Sequence, residues 1–409
     1  MDNRTNPYTP NAGATPEAIV GRDDQINTFR DLLERLRRGR TDQSMIVTGL
    51  RGVGKTVLLG RFRELALEAN WEVLDIEASK HDDSNFRQIL FSKLRSALLQ
   101  LSPRDRWSER FHKTAAVLSS FALSMDTGGT FALNWSVPPA EGLGDHGNLS
   151  LDLTDVLVSI GEAAKERDRG IVILIDEVQF LNRGQLEALI QAIHKVVQRR
   201  LPVTFVGAGL PQIAELAGDA KSYAERLFKF PKIGSFSATD ARRALSEPAQ
   251  IEGVSYTDDA LDLAGEITEG YPYFVQELGS QAWSVAVGTV ITKDDIKMAQ
   301  EGYETKLDSS FFRVRLDRAT PLQTAYMRAM AELGPEAQKA ADVAKLMDRE
   351  SPQIGPTRAE LIDMGLLYTP EHGYAAFTVP HFDRFIKRAV PNLIVPEVQR
   401  RSQRKPRSQ

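Results

Sequence analysis

Short aliphatic runs alternate along the first half of the chain with longer segments in which apolar residues recur every three or four positions. The aliphatic runs are SMIVT (44–48), WEVLDIE (71–77), GIVILID (170–176) and PVTFVG (202–207). Runs this short and rich in Val, Ile and Leu are typical of strands buried on both faces of a parallel sheet. The amphipathic segments predict helices over 54–69, 85–100, 151–167 and 183–199. This alternation favours an α/β fold, a three-layer αβα parallel sheet over 19–236.

Beyond Phe236 the strand patterns stop and only helical patterns continue. Ser237 and Thr239 are possible N-caps of a first helix. The amphipathic segments that follow predict helices over 257–268, 272–286 and 292–303. We therefore expect a small helical domain over 237–305.

A third pattern begins at Pro321. It predicts helices over 321–333, 339–347 and 356–364, and then two strands, LLYTP and YAAFTVP, around the turn Glu371-His372-Gly373. Three short helices followed by a hairpin are the outline of a winged helix. We expect this domain to occupy 306–395.

Three segments fall outside these patterns. Residues 1–18 hold three prolines and few large apolar groups, so we expect an irregular arm that only docking can order. The segment FALSMDTGGTFALNW (121–135) carries two alternating apolar runs around Asp126-Thr127-Gly128-Gly129, which predicts a β-hairpin inserted within 102–150. A basic tail over 396–409 is expected to be disordered. Its cations are Arg400, Arg401, Arg404, Lys405 and Arg407.

Composition limits the chemistry that this chain can perform. Its 409 residues include no cysteine, which excludes disulfides, cysteine zinc sites, iron–sulfur clusters and thiol catalysis. The net charge of −4 argues against a chain that coats nucleic acid. Because it lacks a long apolar run and an apolar leader, we expect a cytoplasmic protein without membrane contact. The six histidines show no metal-ligand spacing.

One segment carries a motif for phosphate binding. Directly after SMIVT the chain reads GLRGVGKT, which matches the pattern GxxxxGK[ST] and precedes a helical pattern. Its residues are Gly49, Leu50, Arg51, Gly52, Val53, Gly54, Lys55 and Thr56. Glycines let backbone N–H groups surround phosphate oxygens, while Lys55 suits the β- and γ-phosphates of ATP and Thr56 suits Mg²⁺. The alternative, a glycine-rich turn without a ligand, requires strand, motif and helix to coincide by chance.

A second acidic site follows the run Ile171–Ile175. Asp176 is expected at the carboxyl end of a buried strand, where it would face Mg²⁺. Glu177, one residue later, is the candidate to orient or deprotonate the attacking water. Alone, the pair would fit an acidic cap of the next helix equally well, but its position after a phosphate loop favours the catalytic interpretation.

With these motifs, residues 19–390 resemble the AAA+ ATPases, in particular the branch shared by replication-initiator-type ATPases and the signal-transduction ATPases with numerous domains (STAND). The resemblance also rests on IVGRDDQI (19–26), SYAERLF (222–228) and GYPYF (270–274). It implies that Val20, Gly21 and Arg22 lie near the nucleotide base. It further implies that Pro272 caps the nucleotide from the helical lid, and it adds Val57 to the nucleotide-binding residues.

The same resemblance implies that Arg226 is an arginine finger, acting on the nucleotide of a neighbouring subunit. Alternatives remain open: Arg226 can be an ordinary surface cation, Arg242 and Arg243 compete for the role, and Pro272 can simply begin a helix. The run Gly207-Ala208-Gly209 departs from the family, since many relatives place a polar sensor residue there. This departure favours slow turnover or a switch over a fast motor.

The winged helix leaves its own alternatives. Residues 320–395 hold eight basic and nine acidic side chains, and the helix over 356–364 offers Thr357 and Arg358 beside Glu360 and Asp363. A domain that reads DNA usually shows a basic face, so protein contact or autoinhibition is favoured over DNA. We expect an ATP- and Mg²⁺-dependent ATPase that acts as a conformational switch, with an unknown protein partner and a possible homo-oligomer. The alternatives are a DNA-binding initiator and a nucleotide-bound scaffold with negligible hydrolysis.

Overall fold

A computed structural model of the protein describes residues 1–11, 13–79, 83–103, 106–123 and 137–397. The chain divides into two units, Met1–Gln300 and Glu301–Gln409. The basic tail from residue 398 and the turn over 126–129 lie outside the described residues.

The first unit is built on a parallel sheet of five strands in the order β2-β3-β4-β1-β5. Its strands are β1 (Ser44–Thr48), β2 (Glu72–Glu77), β3 (Ile171–Asp176), β4 (Val203–Gly209) and β5 (Phe228–Lys229). The four predicted strands are confirmed. The two-residue β5, which pairs with β1 at the sheet edge, is too short to show a pattern in the sequence.

Eight helices accompany the sheet in the described part of this region. They are α1 (Asp23–Arg37), α2 (Lys55–Glu68), α3 (Asp83–Leu101), α4 (Glu109–Leu123), α5 (Leu149–Glu166), α6 (Arg183–Gln198), α7 (Ile213–Ala220) and α8 (Ala224–Leu227). Ile171, Ile173 and Ile175 share one apolar cluster with helices α3–α6. The alternate residues Val172 and Leu174 are equally buried outside that cluster. Because successive side chains of a strand point to opposite faces, both faces of the sheet are covered.

The insertion differs from the sequence-based expectation where the structure describes it. Residues 121–123, expected in the first strand of a hairpin, form the end of helix α4. Phe111, Ala115, Leu118 and Ala122 are buried along this helix, and their spacing of three or four residues is helical. The alternation read from the sequence covered too few residues to separate the two periods. The expected second strand lies largely outside the described residues.

A helical region follows the sheet. Its helices are α9 (Ala238–Ile251), α10 (Asp258–Thr268), α11 (Pro272–Val285) and α12 (Lys293–Lys306), and the strands β6 (Ser255–Tyr256) and β7 (Val290–Ile291) pair in parallel between them. Ser237 is the N-cap of α9, and its hydroxyl accepts a hydrogen bond from the backbone N–H of Asp240 at 3.1 Å. Thr239 lies inside the helix rather than before it.

The N-terminal arm docks on this helical region. The Tyr8 side chain is buried, and its hydroxyl donates to the carbonyl oxygen of Leu245 on α9 at 2.6 Å. The indole N–H of Trp283 on α11 donates to the carbonyl oxygen of Asp2 at 3.0 Å. Gly279, also on α11, gives the tyrosine ring its space, since a Cβ there would lie 2.8 Å from Tyr8 Cδ1.

The second unit combines short helices with a small antiparallel sheet. A π-helical turn (Leu307–Phe312) and helices α13 (Arg313–Leu316), α14 (Pro321–Leu333), α15 (Ala340–Leu346), α16 (Ser351–Asp363) and α17 (Phe382–Ala389) surround strands β8 (Gln338–Lys339), β9 (Leu367–Tyr368) and β10 (Tyr374–Phe377). The strand order is β8-β10-β9.

Helix α16 begins earlier than the sequence pattern predicts. Pro356 was expected to start it, but the helix begins at Ser351, with Pro352 in the first turn and Pro356 inside. Glu350 caps this earlier start, and its backbone N–H donates to Gln353 Oε1 at 3.0 Å. Either proline suits a first helical turn, and the capping box of Glu350 and Gln353 accompanies the earlier start.

The side chain of Arg358, a candidate to contact DNA, makes hydrogen bonds within the second unit. Its Nη2 donates to the carbonyl oxygen of Tyr374 at 2.5 Å and to Thr369 Oγ1 at 3.2 Å. These bonds tie α16 to strand β10 and the turn before it. The guanidinium of Arg358 is therefore bound by the hairpin of its own unit, which fits the expectation that this helix is a poor candidate to read DNA.

Among the described residues, none of the helices has the length and apolar character that crossing a membrane requires. In the same part of the chain, no group of three or more His, Asp or Glu side chains is arranged to hold a metal ion.

The docked N-terminal arm leads to a prediction for two glycines of the helical region, Gly279 on α11 and Gly265 on α10. Gly279→Ala should expel the Tyr8 ring, because the new Cβ would lie 2.8 Å from it. Gly265→Ala on α10 is the matched control, since a Cβ there meets nothing within 4 Å and helix propensity improves by up to about 1 kcal/mol. Chymotrypsin should cleave after Tyr8 faster only in Gly279→Ala. Equal protection of Tyr8 in both variants would show that the arm is not held by this contact.

Candidate active site

The segment from Gly49 to Gly54 forms the turn between strand β1 and helix α2, and Lys55 and Thr56 begin the helix. Gly52 and Gly54 have φ angles of 83° and 90°, which side chains with a Cβ rarely adopt. Helix α2 begins at Lys55, directly after Gly54. The first backbone N–H groups of a helix have no partner inside it, so this turn presents donors and the positive end of the helix dipole to an anion.

Lys55 is buried behind the turn. Its Nζ donates to the carbonyl oxygens of Gly49 at 3.0 Å and Leu50 at 2.8 Å. Burial lowers the pKa of Lys55, and the charges of Glu177 and Asp176 oppose that shift. Lys55 is therefore a poorly hydrated cation beside the turn. Its attraction to an anionic ligand is stronger there than it would be in bulk water.

Thr56 and Asp176 meet although 120 residues separate them. The hydroxyl of Thr56 donates to Asp176 Oδ2 at 2.6 Å. The other carboxylate oxygen accepts the backbone N–H of Glu177 at 2.8 Å. Burial raises the pKa of Asp176, and these two hydrogen bonds oppose the rise. The two residues that the sequence predicted as metal ligands are thus adjacent.

Glu177 directs its carboxylate toward the same turn. Its backbone is left-handed, with a φ of 52°, which places the side chain on the sharp bend after β3. Glu177 Oε1 lies 3.9 Å from Arg51 Nη1, and Oε2 accepts a hydrogen bond from Gln179 Nε2. Gln179 was missed in the sequence, where its only signal is its position two residues after the acidic pair.

Arg22 connects the segment Val20-Gly21-Arg22 to the phosphate loop. The buried guanidinium donates to the carbonyl oxygens of Val53 at 3.0 Å and Gly234 at 2.8 Å. It also lies 5.0 Å from the ring centroid of Phe236. This side chain therefore ties three separate segments together at the edge of the loop.

Helix α11, from the helical region that follows the sheet (the lid), contacts the phosphate loop. Pro272 is its first residue and is buried. The hydroxyl of Tyr271 donates to the carbonyl oxygen of Arg51, and the backbone N–H of Tyr273 donates to that of Gly52 at 3.2 Å. The tyrosines were not singled out in the sequence, although the segment GYPYF that contains them was.

The other predicted residues lie further along the chain. Val57 is half-buried on α2, next to Thr56. Arg226 is exposed on α8, and within the described residues no acidic side chain pairs with it. Arg242 pairs with Asp258 and Asp262, and Arg243 pairs with Asp240 and Glu247. Arg226 is therefore the cation of the three that has no competing partner in the described chain.

Two segments of the chain match models of known protein families. Residues 18–206 match the family model described as the AAA ATPase domain. This region is an AAA ATPase domain. The resemblance to AAA+ ATPases is confirmed, and the parallel sheet with flanking helices is a P-loop NTPase fold of a nucleotide-binding ATPase. Residues 309–386 match a domain of unknown function.

Several solved structures are similar to this chain, and the first of those named here supports the fold. The Walker-type ATPase PABY2304 of Pyrococcus abyssi is 16% identical with a TM-score of 0.56, over 91% of this chain and 97% of that one. Cdc6p of Pyrobaculum aerophilum is 14% identical with a TM-score of 0.46, over 95% and 99%. Orc1 of Aeropyrum pernix, solved with DNA, is 14% identical with a TM-score of 0.44, over 91% and 94%. No curated protein sequence matches this one.

The contacts of Arg22 predict its effect on the stability of the AAA ATPase domain. Arg22→Ala should lower the free energy of unfolding by about 1–3 kcal/mol, because the carbonyls of Val53 and Gly234 lose a buried charged donor. Arg30→Ala, on the exposed face of the same helix, should change it by less than about 0.5 kcal/mol. Denaturant unfolding of both variants measures the difference. Equal effects would mean that Arg22 does not hold the loop.

Proposed function

We propose that this protein is an ATP- and Mg²⁺-dependent ATPase that acts as a nucleotide-driven conformational switch. The observation that carries the switch is the contact of Tyr271 and Tyr273 with the carbonyl oxygens of Arg51 and Gly52. These hydrogen bonds join the lid to the phosphate loop. A phosphate group that rearranges the loop therefore changes which hydrogen bonds the lid can make to it. ATP and ADP then favour different lid positions.

The phosphate loop holds the nucleotide in this proposal. Backbone N–H groups from Gly49 to Thr56 bind the phosphates, and Lys55 turns from the carbonyls of Gly49 and Leu50 to the β- and γ-phosphates. Val20, Gly21 and Arg22 line the base side, with Val57 and Pro272 as further contacts. The hydrogen bond from Arg22 to the carbonyl oxygen of Val53 supports this assignment for Arg22.

Thr56 and Asp176 are the proposed Mg²⁺ ligands. A hydroxyl and a carboxylate oxygen held 2.6 Å apart are the hard oxygen donors that Mg²⁺ prefers. The metal supplies charge neutralisation on the β- and γ-phosphates.

Glu177 is the proposed catalytic carboxylate. It orients a water molecule and accepts its proton as the water oxygen bonds to the γ-phosphorus and the bond to the β-phosphate oxygen breaks, which releases ADP and phosphate. The end of β4, Gly207-Ala208-Gly209, has no polar side chain to assist. We therefore expect slow turnover, with a nucleotide-bound scaffold as the limiting case.

The second unit is proposed to be a winged helix that contacts a partner protein. Support comes from the order of α14, β8, α15, α16, β9 and β10 and from the antiparallel β8-β10-β9 sheet. The near-neutral charge over 320–395 and the internal bonds of Arg358 disfavour DNA reading. A DNA-binding initiator remains the second candidate.

Two variants test the ATPase. Lys55→Ala should weaken ATP binding by about 10- to 100-fold, because the phosphates lose a charge-assisted contact. Glu177→Gln should keep that affinity and slow hydrolysis, because the amide preserves shape without accepting a proton. Titration with a fluorescent ATP analogue and phosphate release, with and without Mg²⁺ and duplex DNA, give both quantities.

These measurements separate the candidates. Unchanged affinity in Lys55→Ala contradicts the site, and unchanged turnover in Glu177→Gln removes Glu177 from catalysis. Tight binding with no turnover in the wild type favours the scaffold. Turnover stimulated by one DNA sequence favours the initiator.

Arg226 is proposed to act across a subunit boundary, on the γ-phosphate of a neighbouring copy. If so, the specific activity of the wild type rises with protein concentration, and Arg226→Ala removes this rise while ATP affinity stays unchanged. Arg242→Ala and Arg243→Ala are matched controls, because their guanidinium groups already pair with acidic residues. Specific activity that is independent of concentration in the wild type would exclude this role.

A further inference from the structure

A short 3₁₀ turn, Val178–Phe180, follows Glu177 and lies against the end of β4. The side-chain amide of Gln179 makes two hydrogen bonds there. Its Oε1 accepts the backbone N–H of Leu210 at 3.1 Å, and its Nε2 donates to Glu177 Oε2. Gln179 therefore connects the candidate catalytic carboxylate to the segment after β4.

The orientation of this amide follows from its partners. A backbone N–H can only donate, so the oxygen of the Gln179 amide must face Leu210. The NH₂ group then points to the carboxylate of Glu177, which can only accept when ionised. If the amide were flipped, its NH₂ group would face the N–H of Leu210 and its oxygen would face the carboxylate of Glu177, and neither pair could form a hydrogen bond. The second carboxylate oxygen has a longer contact, 3.9 Å to Arg51.

The glycines of β4 leave the space that Gln179 and Val178 occupy. A Cβ on Gly209 would lie 2.8 Å from both Gln179 Oε1 and Val178 Cγ2. A Cβ on Gly207 would lie 2.9 Å from Val178 Cγ1. The neighbouring turn thus occupies space beside Gly207 and Gly209, and it brings the polar side chain of Gln179 with it.

We propose that Gln179 is a positioning residue for Glu177, which replaces the side chain that β4 lacks and couples the carboxylate orientation to the end of that strand. The inference rests on the proposed ATPase function. Gln179 does not touch the nucleotide in this scheme. It selects the Glu177 rotamer that faces the phosphate loop, so it affects turnover and leaves ATP affinity unchanged.

The test uses Gln179→Leu in the full chain, which removes both hydrogen bonds and keeps the size of the side chain. Turnover at saturating ATP should fall about tenfold or more, as expected for a lost bond to a charged group, while the ATP dissociation constant stays unchanged. Gln281→Leu is the matched control, since it removes a Gln to Glu277 hydrogen bond on the lid helix. Gln179→Met provides a second variant if the branched side chain impairs folding.

A double variant separates positioning from general damage. If Gln179 acts through Glu177, then Gln179→Leu causes no further loss in a Glu177→Gln background. Wild-type turnover in Gln179→Leu overturns the inference, as does an undiminished further loss in the double variant. An inactive wild type contradicts the proposed catalysis instead. Crystal structures of wild type and Gln179→Leu then decide this inference, because an unchanged Glu177 rotamer overturns it and a displaced one supports it.

Discussion

The parallel pairing of β4 between β1 and β3 is the constraint on which the whole site depends. Its register places Gly207 beside both Ile46 and Ile175, so the three strands end together at one edge. The glycine run forms the end of β4, the acidic pair lies at the end of β3, and the phosphate loop follows β1. Thr56 and Asp176 can therefore share a 2.6 Å hydrogen bond across 120 residues of sequence.

Around that edge, the N-terminal segment and helix α11 bind carbonyl oxygens of the loop. Arg22 bonds the carbonyl of Val53, Tyr271 that of Arg51, and Tyr273 that of Gly52. Carbonyl oxygens are the groups that point away from a bound phosphate when the N–H groups point toward it. Helix α11 and the segment that contains Arg22 are thus attached to the loop through its carbonyl oxygens, and these contacts do not use the N–H groups of the loop.

The elements that the sequence predicted well are those with long and regular periodicity. Strands β1 to β4 and helix α14 have the expected type and nearly the expected bounds. Prediction failed where a pattern was short or had two solutions. The end of α4 was assigned to a strand over three residues, and the start of α16 was placed at Pro356 rather than near Pro352. β5 has only two residues, too few for any period.

Local sequence was sufficient to predict the turn between β1 and α2 and the place of Asp176 and Glu177 at the end of β3, because a strand, a glycine-rich turn and a helix are contiguous there. Contacts between distant segments came only from folding. The sequence showed that β4 ends in glycine but not that Gln179 lies beside it, and it did not show that the hairpin binds Arg358. Which donor reaches which acceptor depends on how strands and turns pack in three dimensions. The spacing of two residues along the chain does not give the distance between their side chains in the folded protein.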